Sequence, residues 1–436
     1  MMSPAQQPLG LKLYRSLSRA GRPVANLALS QRLKAGKEDP VRIGERRGET
    51  GVSRPDGQLV WIHGASVGES LSVIPLVEHL KKQHPQLNFL ITTGTVTSAS
   101  LIKSRLPDNA IHQFIPLDHP EFVSSFLDHW HPDCGIFIES ELWPNLVIAA
   151  REKIKKMAIV NGRISPSSFD GWRRQPNMIR YLLSGFDVII AQDRHNADRL
   201  ENLSGKHVHT VGNLKNAAAP LETALPEYET LLRQSADRPC WLAASTHIGE
   251  DEFILAAHNV LKAEFPDLLT FIAPRHPDRG DEIYQLAGDK ALAAVKRSSK
   301  LRIDLQTDIY IADTLGELGL FYRRCDIAFV GGSLTDKGGH NPLEPARLGS
   351  AILHGPNTFN FAETYELLRN AGGSALVRNE RELASAVKRL LSDKKTRIAM
   401  TDAARNTAET DKEVVLTNIT KLLEDVLPAV EKSAHA

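Results

Sequence analysis

Cysteine is scarce in this chain: Cys134, Cys240 and Cys325 are the only ones among 436 residues, and no two form a CxxC pair. That excludes a disulfide framework and the usual zinc-ribbon spacings. Each cysteine instead adjoins an apolar, strand-like run (CGIFI, CWLAAS, CDIAFVGG), as a small buried hydrophobe in a reducing compartment would. Long apolar runs are missing too. No stretch reaches the ~18 residues a membrane-crossing helix needs, and the N-terminus lacks the apolar core and cleavage site of a secretory signal. The expected compartment is the cytoplasm, which leaves attachment to a membrane surface open. Nor is there an excess of either charge: 53 Lys and Arg face 52 Asp and Glu, for a net +1. Nucleic acid is therefore not an expected partner. The 16 histidines are scattered and form no HExxH. His340 and Glu344 stand four apart, a spacing that arises often by chance, so neither metal nor cofactor is expected.

What is present is ample apolar material, 42% of the chain, over a length that exceeds a single core. Two domains are expected. Residues 1–50 differ from the rest: Lys12, Arg15, Arg19, Arg22, Arg32, Lys34 and Lys37 all precede Glu38, the first acid. A helix there would carry Leu9, Leu13, Leu17 and Ala20 on one side, which suits a basic amphipathic helix lying on an anionic membrane. The alternative is a helix docked on the protein's own surface.

Apolar strand-like runs then alternate with helical ones. Strands are expected at 58–63, 88–92, 110–114, 134–138, 156–160, 188–191 and 207–211, with helices between them, for example at 71–83 and 144–153. After an Ala- and Pro-containing stretch the pattern restarts, with strands at 240–244, 268–272, 293–296, 309–312, 327–330, 351–354 and 374–377, and helices at 250–264, 315–323, 342–347, 361–370 and 380–391. Alternation of this kind implies parallel sheets covered on both faces. The domains are drawn at 1–50 (membrane-proximal helical segment), 51–212, 213–238 (linker), 239–425 and 426–436 (tail). Ligands of such sheets bind beyond the carboxyl ends of the strands, so the chemistry is expected in a cleft between the two α/β halves.

Four constellations stand at strand ends. In WIHGASVGES, Gly64 and Gly68 permit a tight turn and Glu69 falls at a helix N-terminus. Free N–H groups there favour an ionised carboxylate, which can take a proton from a substrate hydroxyl or simply cap the helix. The loop is not GxGxxG, so a dinucleotide site is unsupported. In IESELWPN, Glu139 and Glu141 follow a strand two apart, and one of them should face the site. VGNLK places Lys215 where it could neutralise a leaving phosphate. In the second half, Ser245 and Thr246 lie where a strand passes to a helix whose N-terminus could hold a phosphate. Arg275 follows another strand, and GGSLTDKGGHNPLE combines Gly332 and Ser333, which allow close approach of a phosphate-bearing ligand, with Pro342 in a first helical turn and Glu344, whose carboxylate can take two ribose hydroxyls.

The motifs HGASVGES, ESELWPNL, NGRIS, GNLK, AASTHIGEDE, PRHPDR, GGSLTDKGGHNPLEPA and HGPNTFNF occur in that order, from about residue 36 to beyond 390. Together they resemble the bacterial 3-deoxy-D-manno-octulosonic acid (Kdo) transferases of lipopolysaccharide biosynthesis, glycosyltransferase family 30. The resemblance implies a GT-B fold, two Rossmann-like domains facing a cleft, with CMP-Kdo as donor and a lipid A precursor (lipid IVA) as acceptor. It puts Glu69 on the proton acceptor and Glu139 and Lys215 on the transition-state stabilisers. Pro274 and Arg275, then Leu315, Gly316 and Glu317, then Asn341, Pro342, Leu343 and Glu344 fall on the CMP-binding segments. At 315–317 the residues themselves show only a helix start after a strand. The family often begins with a strongly hydrophobic segment. Here that region is richer in Arg and Ser, which favours reversible attachment to the cytoplasmic face of the inner membrane.

Two other readings are compatible with the motifs. A GT-B-like nucleotide-sugar epimerase would bind UDP rather than CMP and need no membrane segment. A non-catalytic sugar-nucleotide sensor would need no base, against the joint presence of Glu69, Glu139 and Lys215.

Overall fold

A computed structural model describes residues 7–65, 67–103, 105–221, 223–235 and 238–429. Residues 1–6 of the N-terminal segment and 430–436 of the expected tail lie outside them. The chain forms two compact units. The first runs to Ala219 and regains the chain from Lys412, and the second spans Pro220–Asp411.

In the first unit, β1 (Leu59–His63), β2 (Asn88–Thr93), β3 (Ala110–Phe114), β4 (Cys134–Ile138), β5 (Lys156–Gly162), β6 (Val188–Ala191) and β7 (His209–Thr210) make one parallel sheet in the order β3-β2-β1-β4-β5-β6-β7. Side chains of one strand alternate between its faces. Leu59 and Trp61 therefore enter one core with Phe126, Trp130, Phe137 and Phe186, while Val60 and Ile62 enter another with Val77, Phe89 and Ile136. Each such burial stabilises by roughly 1.5–3 kcal/mol. Both faces being covered, the strands read as unbroken apolar runs, which is why they are visible in the sequence.

The second unit repeats the plan. Here β8 (Cys240–Thr246), β9 (Leu269–Pro274), β10 (Ala294–Lys296), β11 (Ile309–Ile311), β12 (Ile327–Val330), β13 (Ala351–His354) and β14 (Ser374–Leu376) pair in the order β10-β11-β9-β8-β12-β13-β14. Trp241, Phe329 and Leu353 fill the core on one face and Leu242, Phe271 and Phe321 that on the other. The two α/β sheets are those the alternating pattern predicts.

Boundaries differ in three places. Residues 213–219, expected in the linker, pack on the first unit, where Leu214 and Ala217 are buried. From 225 the expected linker is already a helix, Leu225–Ser235, of the second unit, and it buries Leu231. The helix Lys394–Leu423 begins in the second unit and ends in the first. There Val415, Leu416, Ile419 and Leu423 cover the β1–β2 face, so 412–425 is not part of the second domain. Spacing along a helix shows which residues share a face but not which core that face covers.

At the other end the helices Leu9–Ala20 and Arg22–Lys34 lie on the first unit. Leu11 enters its core, Tyr14 donates to Asp118 at 2.9 Å and Arg22 pairs with Glu121 at 2.6 Å. Leu9, Leu13 and Leu17 stay outside, 82%, 59% and 64% exposed, and so do Val24 and Leu27. Among the described residues no helix is long and apolar enough to cross a membrane.

Candidate active site

In a doubly wound sheet the strand order reverses between two neighbours, and the loops beyond their carboxyl ends part to leave a crevice. In the first unit those neighbours are β1 and β4. The loop after β1 is tight, since a Cβ on Gly64 would come 3.3 Å from the Cβ of Glu69. Glu69 sits in the first turn of the helix Val67–Gln83, is 6% exposed and accepts the Ala65 N–H at 2.8 Å. Its main-chain carbonyl accepts the Ser72 hydroxyl at 2.7 Å. The carboxylate is thus aimed by its own loop.

Glu139 directly follows β4 with a left-handed backbone, φ 60°. A non-glycine residue pays about 1–3 kcal/mol for such a conformation. In return its side chain turns to Lys215, whose Nζ lies 2.5 Å from Oε1. Lys215 stands in the short turn Leu214–Ala217, which Asn213 opens by accepting the Lys215 N–H at 3.0 Å. Asn161, at the end of β5 with φ 59°, accepts the Leu214 N–H at 2.9 Å. Of the two acids after β4, then, Glu139 pairs with lysine, while Glu141 feels the charge of Glu69. Burial, then the charge of Glu69, raise the Glu141 carboxyl to about 7, with Glu139 adding to the rise.

In the second unit the order reverses at β8 and β12. A small pocket beyond the ends of β8, β9 and β11, on the β9 side of that point, is lined by Ser245, Pro274, Arg275, Leu315, Gly316 and Phe321, so five of the expected ligand contacts share one hollow. Gly316 has φ 83° and nothing near its absent Cβ. The resulting turn delays the helix expected from 315 until Leu318 and leaves Leu315 exposed. The Glu317 carboxylate is already held by Arg297 at 2.6 Å and by the Thr314 hydroxyl. Asn341 accepts the Leu343 N–H at 3.0 Å, and Pro342 and Leu343 are buried. Glu344 is drawn down by Arg275 and Arg347, yet burial outweighs both and lifts its carboxyl to about 7.

Three expected phosphate contacts are corrected. The Thr246 hydroxyl is buried and donates to Asp251 at 2.7 Å. The Ser333 hydroxyl is buried and donates to the Val330 carbonyl at 2.5 Å. The N–H groups of Gly332 and Ser333 donate to Glu250 at 2.7 and 3.0 Å. A glycine-rich loop does present free amides in general, but here a buried carboxylate inside the protein takes them. Sequence reasoning missed Glu250, Asn161, and the meeting of His247 with His340. Each lies inside a quoted motif, and each acts through a contact distant in sequence.

A sequence model described as 3-deoxy-D-manno-octulosonic-acid transferase (kdotransferase) matches residues 41–218. A 3-deoxy-D-manno-octulosonic acid transferase of Haemophilus influenzae is 35% identical over 402 residues, 90% of this chain and 92% of that protein. Solved structures share the fold at low identity. A Rickettsia africae glycosyltransferase superposes with TM-score 0.58 at 13% identity, over 85% of this chain and 99% of that one. A Neisseria meningitidis UDP-GlcNAc 2-epimerase does so with TM-score 0.51 at 14% identity, over 83% and 100%. Both transferases and epimerases therefore use this GT-B architecture, and the sequence relationship decides between them. The chain belongs to the 3-deoxy-D-manno-octulosonic acid transferase family.

Proposed function

We propose that this protein transfers Kdo from CMP-Kdo to lipid IVA, a lipid A precursor, by an inverting displacement in which Glu69 is the base. The reading rests on the arrangement of Glu69 with the Glu139–Lys215 pair at the switch point of the first sheet. Glu69 takes the proton of a sugar hydroxyl on the acceptor. The freed oxygen attacks the anomeric carbon of Kdo, the bond from that carbon to the phosphate oxygen breaks, and CMP leaves. Lys215, oriented by Glu139, offsets the charge that develops. The second unit supplies the nucleotide site, with Pro274, Arg275, Leu315 and Gly316 about one hollow and Glu344 as a partner for ribose hydroxyls. The exposed leucines and cations of the N-terminal helices serve as a peripheral attachment to the anionic cytoplasmic face of the inner membrane, where the acceptor resides.

Glu69→Gln tests the base. Transfer from CMP-Kdo to a tetraacyl lipid A precursor should fall by about 10²–10⁴-fold, the range of general-base catalysis, with CMP binding retained. Near-normal transfer would refute the assignment. Competition between CMP and UDP for the free protein separates this reading from an epimerase.

A further inference from the structure

His247 follows β8 and His340 follows β12, the two strands at which the second sheet reverses. Their Nε2 atoms are 2.9 Å apart and their rings parallel to within 5°. At that separation one ring donates its Nε2–H to the lone pair of the other, so the neutral pair combines two different tautomers. A proton added at the free Nδ1 of the donating ring keeps this hydrogen bond and makes it charge-assisted. A second proton would set two N–H groups against each other. The pair therefore stores one positive charge.

The surrounding backbone builds this pair. Glu250, fully buried, accepts four N–H groups: His247 at 3.0 Å, Gly332 at 2.7 Å, Ser333 at 3.0 Å and Leu334 at 2.9 Å. One carboxylate thus ties the loop of His247 to the loop that leads to His340. His340 is fixed further by its N–H to Gly331 at 3.2 Å and by the Tyr365 hydroxyl, which donates to its carbonyl at 2.8 Å. Gly332, φ 69°, makes the space: a Cβ there would lie 3.3 Å from the His340 ring and 3.4 Å from that of His247.

The neighbourhood is cationic. Arg275, His276 and Arg279 face the pair from the segment after β9, and Lys337 does so from the glycine loop itself. The His276 ring stands edge-on, 6.2 Å from that of His247. Of the acids nearby, Asp251 and Glu282 pair with Arg279 at 2.6 and 3.1 Å, which leaves Arg275 and Lys337 as the main cations, while burial raises the carboxyl of Glu250 and lifts that of Glu344 to about 7. Burial first, then Arg275, holds His340 down at about 4, and burial first, then Lys337, lowers His247 as well. Without a ligand the pair is neutral at pH 7. An anionic oxygen placed beside it would offset the cations and let the proton on.

We propose that the His247–His340 pair is a receptor for an anionic oxygen of the donor, a phosphate or a sugar-acid carboxylate, and that it takes up one proton as the donor binds. This rests on the reading of the donor as a nucleotide-linked acidic sugar.

The test is calorimetric binding of cytidine, CMP and CMP-Kdo to the full chain at pH 7, in two buffers of different ionisation heat. Uptake of about one proton is expected by linkage. Uptake with CMP but not cytidine assigns the phosphate, uptake with CMP-Kdo alone assigns the carboxylate, and either supports the pair. His340→Asn should abolish the uptake and weaken the ligand that triggers it about tenfold or more, the worth of a charge-assisted hydrogen bond, with cytidine unchanged. A purely structural role would weaken cytidine equally. If His340→Asn does not fold, His247→Asn carries the same comparison. No uptake by the wild type, or equal uptake by the variant, overturns the proposal. Binding of UDP in place of CMP would sink the donor reading instead, and the proton count on UDP would then judge the pair.

Discussion

Asn161 accepts the backbone N–H of Leu214 at 2.9 Å. A residue at the end of β5 thereby fixes the residue before Lys215, 53 positions further along the chain, and so the cation that meets Glu139. Asn suits the place twice over: it tolerates a left-handed backbone and its amide oxygen reaches the buried donor.

Asn161→Ala should therefore do two kinds of damage. Leaving the Leu214 N–H without a partner costs about 1–3 kcal/mol, and alanine adds roughly 1–2 kcal/mol of left-handed strain. Asn161→Gly removes the second cost only. Thermal unfolding should rank the wild type above glycine, and glycine above alanine. In both variants the transfer rate should fall more than affinity for CMP, and a loss of CMP affinity alone would contradict the link to Lys215.

Lys215→Met and Glu139→Gln should each slow transfer by about 10²–10³-fold if the pair stabilises developing charge. The double variant should be little worse than the slower single one, because each change already disables the pair. Additive losses in a double-mutant cycle would show that the two act separately.

Stability should respond to pH through Glu141 and Glu344, both raised from 4.5 to about 7. A raised carboxyl binds its proton more tightly folded than unfolded, so its contribution is complete below about pH 4.5 and is lost as pH rises through 7. The melting temperature should decline between pH 5 and 8. Glu141→Gln and Glu344→Gln should flatten that decline, leaving each variant matched to the wild type at pH 5 and ahead of it at pH 8. An unchanged slope would remove both carboxyls as its source.

Glu250→Gln keeps the shape of the side chain but sets an NH2 group against amide donors. About 1–3 kcal/mol of stability should be lost for a buried donor left unpaired. Affinity for the donor should weaken with it, because the loops of His247 and His340 are joined through this carboxylate. Wild-type unfolding by urea would show that the four hydrogen bonds are dispensable.

Replacing Leu9, Leu13 and Leu17 with Asp should reduce flotation with anionic liposomes while leaving the melting temperature nearly unchanged, since all three are exposed. Each leucine buried in lipid is worth roughly 1.5–3 kcal/mol, so the triple variant should be recovered mostly in the soluble fraction. Undiminished flotation would end the attachment reading.

The strands were legible because both faces of each sheet are covered, which leaves runs such as 134–138 and 327–330 almost wholly apolar. Glu139 was legible as a polar residue directly beyond such a run, and Glu69 and Lys215 as polar residues a few positions past a strand, while their roles came only from the resemblance. The partners were not. By residue pattern alone Glu139 and Glu141 were equivalent, the resemblance singled out the first, and the left-handed turn at Glu139 is what brings it to Lys215. Gly332 and Ser333 looked ready for a phosphate until Glu250 was seen to hold their amides.

The sequence by itself determined the two parallel sheets, the strand ends at which polar residues collect, and the family to which the motifs belong, because these follow from local periodicity and from residue order. Only the tertiary structure decided which of those residues meet. It paired Lys215 with Glu139, gave Glu250 four amides, closed His247 on His340 and returned residues 412–429 to the first unit. Such contacts join segments far apart in the chain. Their energy depends on distances of a few ångströms, which sheet order and loop closure set and which no local pattern records.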